Sequence, residues 1–179
     1  MYCVPWGSLV LCHARERTRR HAFGGGSILF FLMALVAGLS LFTGAASAQT
    51  RAAALATVLT YSLHDPVSER EVARGMLKMT EPLKVKYRGG FSLLDMKHFA
   101  ELRGYQGGGY RDLTLDDLLQ LKDPIVPIVQ HGYPHFVVVR GLDRRGRIKL
   151  ADPGFGNRTM SVRTFTGAWQ GGIGFVVVP

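Results

Sequence analysis

Residues 124–142 read PIVPIVQHGYPHFVVVRGL, and this stretch decides the fold. Two runs dense in β-branched residues, Ile125–Val129 and His135–Leu142, flank Gly132-Tyr133-Pro134, a cluster suited to a hairpin connection. A third run, Ile148–Ala151, follows Asp143-Arg144-Arg145-Gly146, whose residues again fit a tight turn. Strands joined so closely can only lie antiparallel. Further on, Ser161 is placed to cap a last helix through Trp169, with Phe165 and Trp169 facing the sheet. Gly174–Val178 then supplies a closing strand.

Upstream the texture is helical. AAALATVLTYSL (52–63) is rich in strong helix formers and has a wide apolar face, the pattern of a buried helix that ends at His64-Asp65-Pro66. Ser68 with Glu71 forms a capping box ahead of EREVARGMLKM (69–79). Ser92 with Asp95 opens LLDMKHFAELR (93–103), and Gly104 stands where a left-handed residue ends a helix. Thr114 with Asp117 starts the short LDDLLQL (115–121). Helices first and then a mostly antiparallel sheet make an α+β domain. His64 and His131 read as turn residues, His98 as the exposed side of its helix, and Gly171-Gly172 as a turn.

Ahead of this body lies SILFFLMALVAGLS (27–40), an apolar core behind Arg15, Arg17, Arg19, Arg20 and His21, running into Ala46-Ser47-Ala48. That is the layout of a signal peptide with an A-x-A cleavage site, leaving Gln49 first; the alternative is a retained membrane anchor. Residues 1–48 are thus a signal peptide or anchor, with translation starting at Met1 or later, and 49–179 are the domain. The expected location is the periplasm or the medium, or else the outer face of the inner membrane. The whole chain carries +9, and setting aside Arg15, Arg17, Arg19, Arg20 and Glu16 leaves +6. Such a surface attracts acidic peptides or membrane faces. A basic stripe interleaved with aromatics is missing, which argues against nucleic acid. No phosphate-cradling loop or metal-ligand cluster stands out, so no cofactor is expected.

Both cysteines, Cys3 and Cys12, precede the apolar core. From Gln49 onward there is none, so the domain offers no disulfide, no Cys-ligated zinc and no cysteine nucleophile.

That absence matters because of a resemblance. The pieces AAALATVLTY, DPVSEREV, GFSLLDMKHFAELRGY, the Gly109–Leu118 pattern, GYPHFVVVRGL, ADPGFGNRTMS and FTGAWQGGIGFVV occur in order. Together the run from Ala52 to Pro179 resembles the bacteriocin-processing, double-glycine leader peptidases, cysteine peptidases of papain-like fold, in their stand-alone secreted branch. In that family a cysteine at the start of the first helix attacks the scissile carbonyl, a histidine at the start of a strand is the base, and an aspartate of an Asp-Pro turn orients the imidazole. The resemblance assigns the base to His135 and the orienting acid to Asp152, and predicts their side chains within hydrogen-bond reach. Tyr133 is a candidate for lining a substrate groove.

The nucleophile does not carry over. Where family members read Cys-Gly-x-Ala-Ala-Leu-Ala-Thr, this chain reads Thr50-Arg51-Ala52-Ala53-Ala54-Leu55-Ala56-Thr57. Thr50 stands in the cysteine's place, Arg51 in the glycine's, and the oxyanion glutamine falls at Gly44. It is as though a leader were joined directly to the first helix. Threonine is a weak nucleophile without its own terminal amine as base, which here requires cleavage after Gln49. The resemblance therefore implies a cysteine peptidase by descent, inactive or severely impaired as written. Its partner would be an extended peptide or exported protein, with any transport supplied by separate machinery. Two alternatives stay open: a pseudopeptidase that binds peptide in a secretion system without cutting it, and a damaged reading frame. Retention of His135 and Asp152 favours recent loss of the cysteine.

Overall fold

The computed structural model describes residues 50–179. The leader, Gly44, Gln49 and both cysteines lie outside them. Helix α1 occupies residues 50–62. It is followed by α2 (Glu69–Met79), α3 (Pro82–Tyr87), α4 (Leu93–Leu102), β1 (Gln106–Tyr110), α5 (Leu115–Gln120), β2 (Ile125–Gln130), β3 (Tyr133–Leu142), β4 (Ile148–Asp152), β5 (Gly156–Met160), α6 (Val162–Ala168) and β6 (Gly174–Val178).

Local chemistry places the helix starts as expected. Ser68, Ser92 and Thr114 each accept the backbone N–H of the residue three further on, and the Glu71, Asp95 and Asp117 carboxylates bond back to the cap. Ser161 caps α6 through the Thr164 N–H, and Trp169 ends it. Gly104 takes a φ of +86° just past α4.

The six strands form one sheet in the order β1-β6-β2-β3-β4-β5, antiparallel throughout. Side chains alternate between its faces. Ile125, Phe136, Val138, Ala151, Phe175 and Val177 turn to one side, where Leu55, Val58 and Leu59 of α1 pack with Val72 and Met76 of α2 and Met96 and Phe99 of α4. Val126, Ile128, Val137, Val139, Ile148, Leu150 and Met160 turn to the other, against Leu118 of α5 and Phe165 of α6. The α+β expectation holds, with the sheet sandwiched between the two groups of helices.

Three elements had no signal in the sequence. β1 is built on Gly107-Gly108-Gly109, β5 is mostly polar, and α3 buries no side chain. The hairpin turn is also tighter than expected: His131 and Gly132 both have positive φ, 51° and 79°, so Tyr133 and Pro134 already belong to β3.

The double glycine Gly171-Gly172 is a turn, with φ of 57° and 56°. At Gly172 a Cβ would stand 2.7 Å from the Leu113 nitrogen and 2.9 Å from its carbonyl oxygen, both backbone atoms, and the Leu113 N–H holds the turn by donating to the Gly172 carbonyl. Gly172→Ala is expected to cost about 2–4 kcal/mol, from left-handed strain and overpacking. That corresponds to a drop in Tm of roughly 5–15 °C. Gly109, with nothing within 4 Å of its virtual Cβ, is the control. Gly109→Ala should leave thermal unfolding unchanged within about 0.5 kcal/mol.

Candidate active site

Three polar side chains are buried among the described residues: Asp95, His135 and Asp152. Asp95 belongs to the scaffold. It accepts from the Ser92 N–H (2.6 Å) and hydroxyl (2.8 Å) at the start of α4, and from the Thr80 hydroxyl (2.5 Å) at the end of α2. Burial works to raise its carboxyl, but these hydrogen bonds together hold it below the usual range. The Ser92 bonds close the cap of α4 itself, and the Thr80 bond ties the end of α2 to it.

His135 and Asp152 make a different arrangement. β3 delivers the imidazole and β4 the carboxylate, and Nε2 lies 3.1 Å from Oδ2. The side chains are 10% and 0% exposed. Asp152 is heavily supplied with donors. Oδ1 accepts the N–H groups of Gly154 (2.9 Å) and Phe155 (3.2 Å), while Oδ2 accepts Arg158 Nε (2.9 Å) and Nη2 (2.6 Å). Burial works to raise the carboxyl, but the bonds from His135, Arg158 and Gly154 outweigh it and bring it down to about 2. At neutral pH the group is an anion, and an anion only accepts. The hydrogen between the two residues therefore sits on Nε2, and Nδ1 is left for another partner.

Around the pair, the Phe155 ring is tilted against the imidazole with centroids 6.0 Å apart. Arg158 reaches on to Gln130 Oε1 of β2 at 2.6 Å. Tyr133 is exposed at the start of β3. Phe136, next after His135, faces α1 and carries the Arg51 guanidinium 4.4 Å from its ring centroid. Arg51 of α1 is thus set against the residue that follows the imidazole in β3. Farther along α1 a cleft of about 340 Å³ runs between Thr57 and Tyr61 and the Asp152-Pro153 turn with Asn157. No group of three or more His, Cys, Asp or Glu side chains converges among the described residues.

The structure brings His135 and Asp152 together as the sequence led us to expect. Arg158, Gln130 and Phe155 joined them without warning. Phe155 directly follows Asp152-Pro153-Gly154 and Arg158 lies three residues farther on, in β5, which carries no apolar alternation. Only the pairing of β4 with β5, which sets Leu150 opposite Arg158, brings the guanidinium onto the Asp152 side of the sheet.

Known proteins share this architecture. The model of the Peptidase C39 family matches residues 46–178. A protein of Pseudomonas aeruginosa described as "Probable functional amyloid protease FapD" is 37% identical over 128 residues, 71% of this chain and 55% of that protein. The chain thus spans about half the length of such curated relatives. Among solved structures, the peptidase domain of Streptococcus ComA, a bi-functional ABC transporter, superposes with a TM-score of 0.58 at 21% identity, covering 74% of this chain and 92% of that one. A double glycine motif protease from an AMS/PCAT transporter, solved with its leader peptide, gives 0.56 at 23% identity, covering 74% and 84%. At these identities the two structures establish the papain-like fold.

Proposed function

The chain belongs to the Peptidase C39 family, and on that premise we propose that residues 49–179 are a double-glycine leader-peptidase domain that has lost its nucleophile. In this reading His135 is the family base and Asp152 the acid that orients it. Thr50 stands at the position of the missing cysteine. The observation that carries the reading is the His135–Asp152 pair, at 3.1 Å and buried, in a domain without a single cysteine after Gln49. An Asp-Pro turn that spends four further hydrogen bonds on fixing one carboxylate is more than a strand end needs for packing.

The substrate class is an extended peptide of an exported protein. The name of the Pseudomonas relatives adds that amyloid-forming proteins are candidates for it. The domain works in the periplasm or medium, or at the outer face of the inner membrane if residues 1–48 stay as an anchor. The second reading, a peptide-binding pseudopeptidase, keeps the same groove and drops the chemistry, and the absence of cysteine favours it for the chain as written.

A fluorescent peptide carrying a Gly-Gly leader tests both. Saturable binding by the full chain without cleavage is the expected result, with cleavage appearing in Thr50→Cys. Absence of binding in both proteins would remove the peptide-groove reading altogether.

A further inference from the structure

Past the last turn of α1 the sheet is left open. Val138 and Ala151 are buried on the face that α1 covers. On that same face the pairing of β4 with β5 sets Asn157 opposite Ala151 and Thr159 opposite Lys149, and Lys149, Asn157 and Thr159 are all exposed. Two hollows of about 340 and 370 Å³ lie there and share Arg140 and Asn157, so that together they form one trough. It follows β4 from the Asp152-Pro153 turn to Lys149 and Thr159, beside the turn that joins β3 and β4, with Thr57 and Tyr61 of α1 as a wall. A strand of that length spans about 17 Å, room for roughly five residues of extended chain.

The charge along the trough is one-sided. Residues 140–158 hold six basic and two acidic side chains, so they carry four of the six net positive charges of the chain after Gln49. The nearby carboxylates are already matched: Asp123 with Arg140, Asp143 with Arg147 and Asp152 with Arg158. Arg144 and Arg145 of the turn and Lys149 of the floor are exposed, and no ion pair engages them among the described residues. Solvated surfaces ordinarily intersperse both signs. We propose that this trough is a docking groove for an acidic, extended segment of a partner protein. Charge complementarity selects the partner, since three cations wait where every anion is spent. Shape selects a chain over a membrane surface, because a bilayer presents a broad plane and the trough is one strand long. The sheet also ends at β5, whose outer backbone groups stand ready to pair with an added strand. Neither Thr50 nor His135 lines the trough, so the docking stands or falls apart from the peptidase reading.

The test measures fluorescence anisotropy of a labelled peptide that alternates glutamate with serine, titrated with the full chain. Saturable binding is expected, and none with the peptide in which glutamine replaces every glutamate. Arg144→Glu/Arg145→Glu/Lys149→Glu should raise Kd at least about tenfold. Arg70→Glu/Arg111→Glu/Arg163→Glu, with the same net charge but exposed positions elsewhere, should stay within about twofold of the unmodified chain. Thr159→Trp keeps every charge and fills the floor, and it too should abolish binding. If the first triple variant loses its native circular dichroism, the corresponding glutamine substitutions must show the same loss of affinity. Equal weakening in the two triple variants, or full affinity in Thr159→Trp, would overturn the groove. Release of the peptide by phosphatidylglycerol vesicles at equal total negative charge would overturn it in favour of a membrane surface. Cleavage by Thr50→Cys without binding of the acidic peptide sinks the docking alone, and binding beside an inert Thr50→Cys chain leaves the docking standing.

Discussion

The full chain carrying Thr50→Cys is expected to cleave a Gly-Gly leader peptide at least about 10³-fold faster than the unmodified chain, with the double variant Thr50→Cys/His135→Ala back at baseline. Loss of a nucleophile commonly lowers turnover by ~10⁴ to 10⁶, and that range bounds what its return can give. Threonine lacks an activating base of its own, whereas a thiol at a helix N-terminus ionises more readily. Thr50 is the first described residue of α1, which covers residues 50–62 there, and on the proposed register it stands in the cysteine's place. The gain should fall short of the upper bound for two reasons. On the proposed register Arg51 stands in the place of the family's glycine, and its guanidinium lies over the Phe136 ring. On the same proposed register the oxyanion glutamine falls at Gly44, and one such donor is worth about 10² to 10³ in rate. Mass spectrometry of the products decides the matter. Cleavage after the glycine pair only in the single variant supports a disarmed peptidase. Equal silence in all three chains, with peptide still bound, leaves the pseudopeptidase reading standing. Equal activity in the single and double variants would remove His135 from the base role.

How much of this was legible before the structure depends on the range of the forces involved. The helix starts at Ser68, Ser92 and Thr114 are set within four residues by side chain–backbone bonds, so short windows of sequence contain the whole cause. β2, β3 and β6 are central strands buried by helices, and their apolar runs announce them. The edge strands are another matter. Gly107-Gly108-Gly109 has no side chains to alternate, and β1 exists because Phe175 to Val178 of β6 offers it a ladder. β5 is likewise held by β4, and its only buried side chain is Met160. Pro134, in the cluster Gly132-Tyr133-Pro134, reads as part of a hairpin connection in the sequence. It is tolerated in β3 because it lies ahead of the stretch, from Val138 to Leu142, that pairs with β4. His135 and Asp152 became candidates through the family's motifs, whereas Arg158 depends on a strand that only tertiary pairing creates. The missed residue and the missed strand are the same error.

A large stability effect is expected at Asp152. Asp152→Ala leaves the Arg158 guanidinium, two backbone N–H groups and His135 Nε2 without their acceptor in a site that water hardly reaches. Removing one member of a buried ion pair typically costs 3–5 kcal/mol; because Arg158 keeps about a fifth of its side-chain surface in contact with solvent, the lower end, about 3 kcal/mol, is the expected loss. The same carboxylate should leave a signature in acid. Its folded value of about 2 lies below the ordinary 3.8, so the native state binds its proton less readily than the unfolded chain does. The stabilisation, on the order of 2 kcal/mol, is then present in full above pH ~4 and is lost as pH falls from ~4 through ~2. Urea unfolding measured between pH 7 and pH 2 checks the sign. The unmodified chain should lose this increment across the acid limb. Asp152→Asn, already weakened at neutral pH, should show a shallower limb, because the group that takes up the proton on unfolding is gone. Parallel limbs in the two proteins would mean that Asp152 titrates alike in the folded and unfolded chains. The pairing with His135 and Arg158 would then be too weak to orient a base.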